Sequence, residues 1–132
     1  PANVGRGVIV LDASALIALL RGEKGAEFVA VKLDGSCLSS VNLAETLTKS
    51  TEWGHDPVDV LSEIKRLPIR IFPVSEQHAL TAALLRPLTR TAGLSLGDRI
   101  CLALALSLGC PALSAESAWK GLPHNVEVEL IR

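Results

Sequence analysis

The chain has 132 residues, enough for one domain that buries roughly two-thirds of its unfolded surface. Hydrophobic residues make up 48% and aromatic residues only 3%, so the core must be aliphatic, and stacking platforms for single-stranded bases are nearly absent. A net charge of −1, from 13 basic and 14 acidic residues, argues against indiscriminate coating of nucleic acid.

The opening "PANVGRG", residues 1–7, reads as a flexible tail, with residues 8–132 as the folded domain. No basic segment precedes an apolar run with a cleavage site, so export is not expected. "VIVLD" is a short, β-branched apolar run and predicts a strand, followed at once by the helical pattern of "SALIALLRG". A second helix is expected over "GAEFVAVKLDG", a brief strand at "CLSS" and a helix over "VNLAETLTKSTEWG", ending at Gly54. "DPVDVLSEIKRL" offers Asp56 as N-cap and Pro57 at the first helical position. "IRIFPV" alternates like a strand, and "SEQHALTAALLR" opens with Ser75 as cap. "LSLGDRICLALALSLG" is an almost wholly apolar helix that should be buried on most sides. "CPALS" and "VEVELI" close the series as strands. The charge-free stretch from Ile100 to Ala115 contains Gly109 and Pro111 and falls short of the ~20 apolar residues of a membrane span. Strands alternating with helices imply crossover units, hence an α/β fold with a mostly parallel central sheet flanked by helices.

Cys37, Cys101 and Cys110 form no CxxC pair and lie among apolar neighbours, as expected of buried free thiols in a reducing cytoplasm. His55, His78 and His124 lack metal-ligand spacing and read as surface residues.

Ligands of open α/β sheets gather outside the carboxyl ends of the strands. Four acids are placed to meet there. Asp12 ends the first strand, Glu45 lies in the helix after "CLSS", Asp98 lies in the first turn of the apolar helix, and Glu116 follows "PALS". Each has a plainer alternative. Asp12 could cap the following helix. Asp98, three residues after Ser95, resembles a capping box with Asp in place of Glu. Glu116 could be a first-turn acid favoured by a helix dipole after a Ser114 cap. Glu45 is too far into its helix to cap it, but an acid at the edge of an apolar face is common.

Together the four acids suggest more than they do singly. Clustered carboxylates repel one another and raise each other's proton affinity unless a cation is present. Mg²⁺ binds one or two carboxylates directly and keeps waters for the rest, and such a centre suits phosphodiester hydrolysis. The sequence has no P-loop, no GxGxxG after a strand and no GxSxG elbow.

"VLDASALIALL", "SSVNLAETLTK", "LSLGDRICLALALSLG" and "ALSAESAW", in this order, resemble PIN-domain nucleases, and among them the small single-domain toxins of bacterial toxin–antitoxin pairs (VapC-type). The likeness covers Val8 to about Ile131. It implies a metal-dependent endoribonuclease using Mg²⁺, or Mn²⁺, with Asp12, Glu45 and Asp98 as metal-binding acids. Glu116 falls where the family more usually has aspartate; the acid is kept but its arm is one methylene longer. Ser14 and Ser114 match small hydroxyl positions near the site, and both could equally be helix caps.

Setting aside the four candidate acids leaves a modest positive surplus, and Arg86, Arg90 and Arg99 lie close in sequence to Asp98. Arg99 is the candidate RNA contact; a solvated surface is the plainer reading. The resemblance further implies a homodimer in the cytoplasm, no membrane association, inhibition by a small cognate antitoxin, and DNA contact only through that antitoxin. The apolar pattern of "ALIALL" and "AEFVAVKL" suits a groove that receives an amphipathic partner, and equally suits core packing. Two alternatives belong to other classes. A non-catalytic PIN-like module binding RNA or protein is disfavoured because all four positions are acidic. A phosphoryl-accepting receiver domain is disfavoured because "IRIFPVS" ends without an acid.

Overall fold

The computed structural model describes residues 8–132; the expectation of a flexible tail over residues 1–7 lies outside the described residues. Among the described residues, five short strands carry the fold: β1 (Val10–Leu11), β2 (Ser36–Ser39), β3 (Ile69–Phe72), β4 (Ala112–Ser114) and β5 (Val128–Leu130). They pair in parallel throughout, in the order β3-β2-β1-β4-β5. Val10 stands opposite both Cys37 and Ala112, and Leu11 opposite both Leu38 and Leu113, so β1 is central. β1, β2 and β4 are buried along their whole length, as expected of the inner strands of a covered parallel sheet, whereas the edge strand β3 exposes Arg70 and keeps the alternation its sequence shows.

Among the described residues, seven α-helices cover the sheet: α1 (Ala13–Arg21), α2 (Ala26–Lys32), α3 (Ser40–Glu52), α4 (Pro57–Lys65), α5 (Glu76–Leu84), α6 (Arg86–Thr89) and α7 (Leu96–Leu108). On one face Ile9, Leu11, Leu38 and Leu113 pack with Leu16, Ala18, Val29 and Ile64. On the other, Val10, Cys37 and Ala112 pack with Leu85, Cys101, Leu102, Leu104 and Trp119. Neighbouring strand residues therefore serve opposite cores, as the pleat requires. Ile100 to Ala105 are all buried, so α7 is enclosed as its composition predicts.

The predicted caps form. Asp56 Oδ1 accepts from the Val58 N–H at 2.8 Å with Pro57 at the first helical position, and Ser75 Oγ accepts from the His78 N–H at 3.1 Å. Other expectations need correction. The helix read through Arg86 stops at Leu84, and the short α6 and a 3-10 turn at Arg90–Ala92 follow it. Pro87 gives the physical reason, because it has no N–H to continue the ladder. The last strand narrows to Val128–Leu130.

His124 is not a surface residue but is 3% exposed. Its Nδ1 accepts from the Val126 N–H at 3.0 Å, which leaves Nε2 as the donor to the Trp119 carbonyl at 2.7 Å. This imidazole closes the turn before β5. Cys37 and Cys101 are buried free thiols, while Cys110 is only half-buried. The "ALIALL" helix sends Ala15, Leu16 and Ala18 into the core, whereas α2 leaves Phe28 and Val31 exposed. Among the described residues no helix is long and apolar enough to cross a membrane.

Candidate active site at the carboxyl edge of the sheet

The chain runs from β1 through β2 to β3 on one side of the sheet and then returns to place β4 and β5 on the other. The strand order reverses between β1 and β4, and beyond the strand ends at such a reversal is where ligands of open α/β sheets bind. Asp12 leaves β1 there and Ser114 ends β4. Because α7 leads into β4, its N-terminus lies at the same edge, beside the start of α3, which follows β2.

Asp12 is 3% exposed. It caps α1 by accepting from the Ala15 N–H at 2.8 Å, and it also receives two hydroxyls. Ser114 Oγ lies 2.6 Å from Asp12 Oδ2, and Ser14 Oγ lies 2.7 Å from Oδ1 and 2.9 Å from Oδ2. The Ala115 N–H donates to Ser14 Oγ at 2.9 Å and the Glu116 N–H to Ser114 Oγ at 2.9 Å. With their acceptor sides used by backbone, both serines turn their protons to the carboxylate. Neither one caps a helix. Burial pushes the Asp12 carboxyl up to about 6 against the pull of these donors, and the charge of Asp98 adds to the rise.

Asp98 occupies the third position of α7 and closes a capping box. Ser95 Oγ accepts from the Asp98 N–H at 3.2 Å, and Asp98 Oδ2 accepts from the Ser95 N–H at 2.8 Å. The capping alternative is thus realised for both aspartates. In each case the cap fixes a carboxylate at the sheet edge.

Glu45 lies half-buried on α3, where its Oε1 accepts from Asn42 Nδ2 at 2.7 Å. Its carboxylate rests on Gly97, immediately before Asp98. The charges of Asp12, Asp98 and Glu45 all act on Cys101, whose thiol is held well above its ordinary range by burial first and then by these three charges. Glu116 stands apart. It is exposed, precedes a 3-10 turn at Ser117–Trp119 rather than an α-helix, and among the described residues its carboxylate makes no hydrogen bond or ion pair. No group of three or more His, Cys, Asp or Glu among the described residues is close enough to form a ready-made metal cage.

The donors at this edge are carboxylate and hydroxyl oxygens, and Cys101 is held as a protonated thiol. That set suits a hard divalent cation held by one or two carboxylates and otherwise by water. Arg99 is partly turned away from the edge: Nη1 donates to the Ala82 carbonyl at 2.8 Å, bracing α7 against α5. Arg86 and Arg90 are exposed. Two contributors escape the sequence reading, Asn42 and Gly97. The available signals were a polar residue one helical turn before Glu45 and a glycine inside a helix's first turn.

A separate cavity of about 380 Å³ opens between α1, α3 and α4. Ile17, Leu20 and Val60 form its apolar part, Asp56, Asp59 and Glu63 its acidic part. Arg21 lies on its border, 3.6 Å over the Trp53 ring.

A family model described as "PIN domain" matches residues 9–124. Among solved structures, the chain is similar to a chain of the toxin–antitoxin complex from Klebsiella pneumoniae, with 19% identity, coverage of 94% of this chain and 98% of that one, and a TM-score of 0.75. It is similar to a chain of DNA-bound VapBC from Salmonella typhimurium, with 16% identity, 94% and 98% coverage and a TM-score of 0.71. FitAcB from Neisseria gonorrhoeae follows with 21% identity, 93% and 97% coverage and a TM-score of 0.69. A search among curated proteins gave no significant match.

Proposed function

The chain belongs to the PIN domain family, and from that premise we propose that it is a metal-dependent endoribonuclease, the toxin of a toxin–antitoxin pair. The observation that carries this reading is Asp12, a buried carboxylate at the reversal point of the sheet, supplied with two hydroxyl donors and facing the charge of Asp98. Even with these donors, burial leaves the ionised carboxylate disfavoured, and a cation is what would offset that cost.

Asp12, Asp98 and Glu45 are the residues that would hold Mg²⁺ or Mn²⁺, with Glu116 as a fourth acid that must swing in from its exposed position. A cation bound there supplies hydroxide near neutral pH and neutralises charge on the phosphodiester. The chain's own residues do the remaining work. Ser14 and Ser114 favour the ionised form of Asp12 and fix both of its oxygens. The capping box stops Asp98 from rotating away. Arg90 is placed to meet RNA phosphates, and Arg86 and Arg99 can do so with the parts of their guanidinium groups not donated to the Leu94 and Ala82 carbonyls.

Of the structural neighbours named above, the Klebsiella pneumoniae structure is a toxin–antitoxin complex and the Salmonella typhimurium VapBC is bound to DNA. By extension this chain would be restrained by a small antitoxin, with DNA reached only through it. The cavity between α1, α3 and α4, apolar on one side and acidic on the other, fits an amphipathic segment with basic side chains. Leu80 and Leu84 on α5 and Leu88 on α6 are exposed at spacings of four, an apolar stripe suited to a homodimer. The chain's proposed site of action is the cytoplasm.

A cleavage assay on a pool of structured RNAs, with Mg²⁺, Mn²⁺ or EDTA, tests this directly. Specific cutting that requires the metal and disappears in D98N supports the nuclease. A folded chain that cuts nothing in either metal would leave a non-catalytic PIN-like binding module.

A further inference from the structure

Glu45 differs from the two aspartates in having no backbone cap to hold it. A glutamate side chain on a helix has three rotatable bonds, so something else must bring its carboxylate to α7. Two residues do this. Asn42 is 1% exposed and donates from the same Nδ2 to Glu45 Oε1 at 2.7 Å and to the Gly97 carbonyl at 3.2 Å. Both partners are acceptors, so only the amide's NH₂ can face them and the orientation of the group is fixed. Its Oδ1 is buried without a hydrogen-bond partner among the described residues. An unsatisfied buried oxygen costs free energy and calls for an explanation, and the two bonds made by the NH₂ of the same group supply one. Gly97 supplies the space: a Cβ at this position would fall 2.1 Å from Glu45 Oε2 and 2.5 Å from its Cδ. Its φ is not in the left-handed region, so the glycine is required by this close approach and not by backbone conformation.

We infer that Asn42 and Gly97 are positioning residues that seat the Glu45 carboxylate beside Asp98, linking α3 to the first turn of α7 before any metal arrives. This rests on the reading of Glu45 as a metal-binding acid.

The test is Mn²⁺ affinity by isothermal titration calorimetry on the full chain, with no RNA present. Variants are N42A, G97A, E45A and N42A/E45A, each checked for folding by circular dichroism. G97A matters because the atoms it displaces are the tip of a flexible side chain, so Glu45 moves while the fold stays. N42A and G97A should each weaken Mn²⁺ binding by about tenfold, as loss of a ligand's orienting partner does. In the E45A background, N42A should cause no further loss. A purely structural role for Asn42 would instead lower affinity equally in both backgrounds, and that result overturns the inference. So does wild-type affinity in N42A and G97A when E45A is weakened. If E45A itself binds Mn²⁺ like the wild type, Glu45 is not a metal-binding acid and the underlying reading fails. Should N42A not fold, G97A with E45A decides the matter alone.

Discussion

Asp12 caps α1 and is almost wholly buried, two conditions that act on its proton in opposite directions. Burial wins, raising the carboxyl from 3.8 to about 6. The metal-free native chain therefore keeps a proton that the unfolded chain releases between about pH 4 and pH 6. Stability from this group is fully present below about pH 4 and is lost as the pH rises through about 6. The ceiling on that loss is about 3 kcal/mol. D12N removes the titration. In EDTA it should gain on the wild type by up to about 2 kcal/mol between pH 5 and pH 8, measured by urea unfolding. A wild-type-to-D12N difference that does not vary with pH would contradict the buried-charge account. The same variant should lose at least about 100-fold in metal-dependent RNA cleavage with its fold retained.

Among the elements, α7 links site and core most directly. Its first turn carries Ser95, Gly97 and Asp98, and its middle is buried from Ile100 to Ala105. Substitutions at its two parts should separate. Leu102→Ala deletes a fully buried side chain and should cost about 3 kcal/mol in chemical denaturation, with Mn²⁺ affinity unchanged in the folded fraction. Ser95→Ala removes the N-cap hydroxyl and should cost about 1 kcal/mol. It should also reduce cleavage several-fold, because the Asp98 N–H loses its acceptor and the turn that presents the carboxylate loosens, although the Ser95 N–H still donates to Oδ2. The helix signals themselves were plain in the sequence. Asp56-Pro57, Ser75 and Ser95 each sit where a cap is needed, and capping is local chemistry within four residues. The α5–α6 break was missed because Pro87 falls within an otherwise helical run, and His124 because burial depends on what packs above it.

At the scale of the whole molecule, the reversal of strand order between β1 and β4 sets Asp12 beside Ser114, residues 102 apart in sequence. If a cation binds at this junction, it stabilises the fold in proportion to its saturation, about 2.7 kcal/mol at 100 times Kd. Thermal unfolding should show that gain with Mg²⁺, its reversal by EDTA, and its absence in D98N. The leucine stripe makes a second prediction. Leu84→Glu, on a side chain 65% exposed, should leave thermal stability within about 0.5 kcal/mol of wild type. It should convert the expected dimer to a monomer by sedimentation equilibrium; a monomeric wild type would remove that role from the stripe.

The sequence by itself determined the α/β class, the parallel sheet and the positions of the acids at strand and helix ends. Each of these depends on hydrophobic period or a capping residue, which are legible within a dozen neighbours. Only the tertiary structure decided what the acids face. It turned Ser14 and Ser114 from possible caps into donors to Asp12, and it left Glu116 exposed beside an ungrouped turn. It placed Gly97 against Glu45 across two helices, 52 positions apart, where one Cβ would displace the carboxylate. Such contacts are fixed by how elements pack, and packing distance leaves no periodic trace along a single chain.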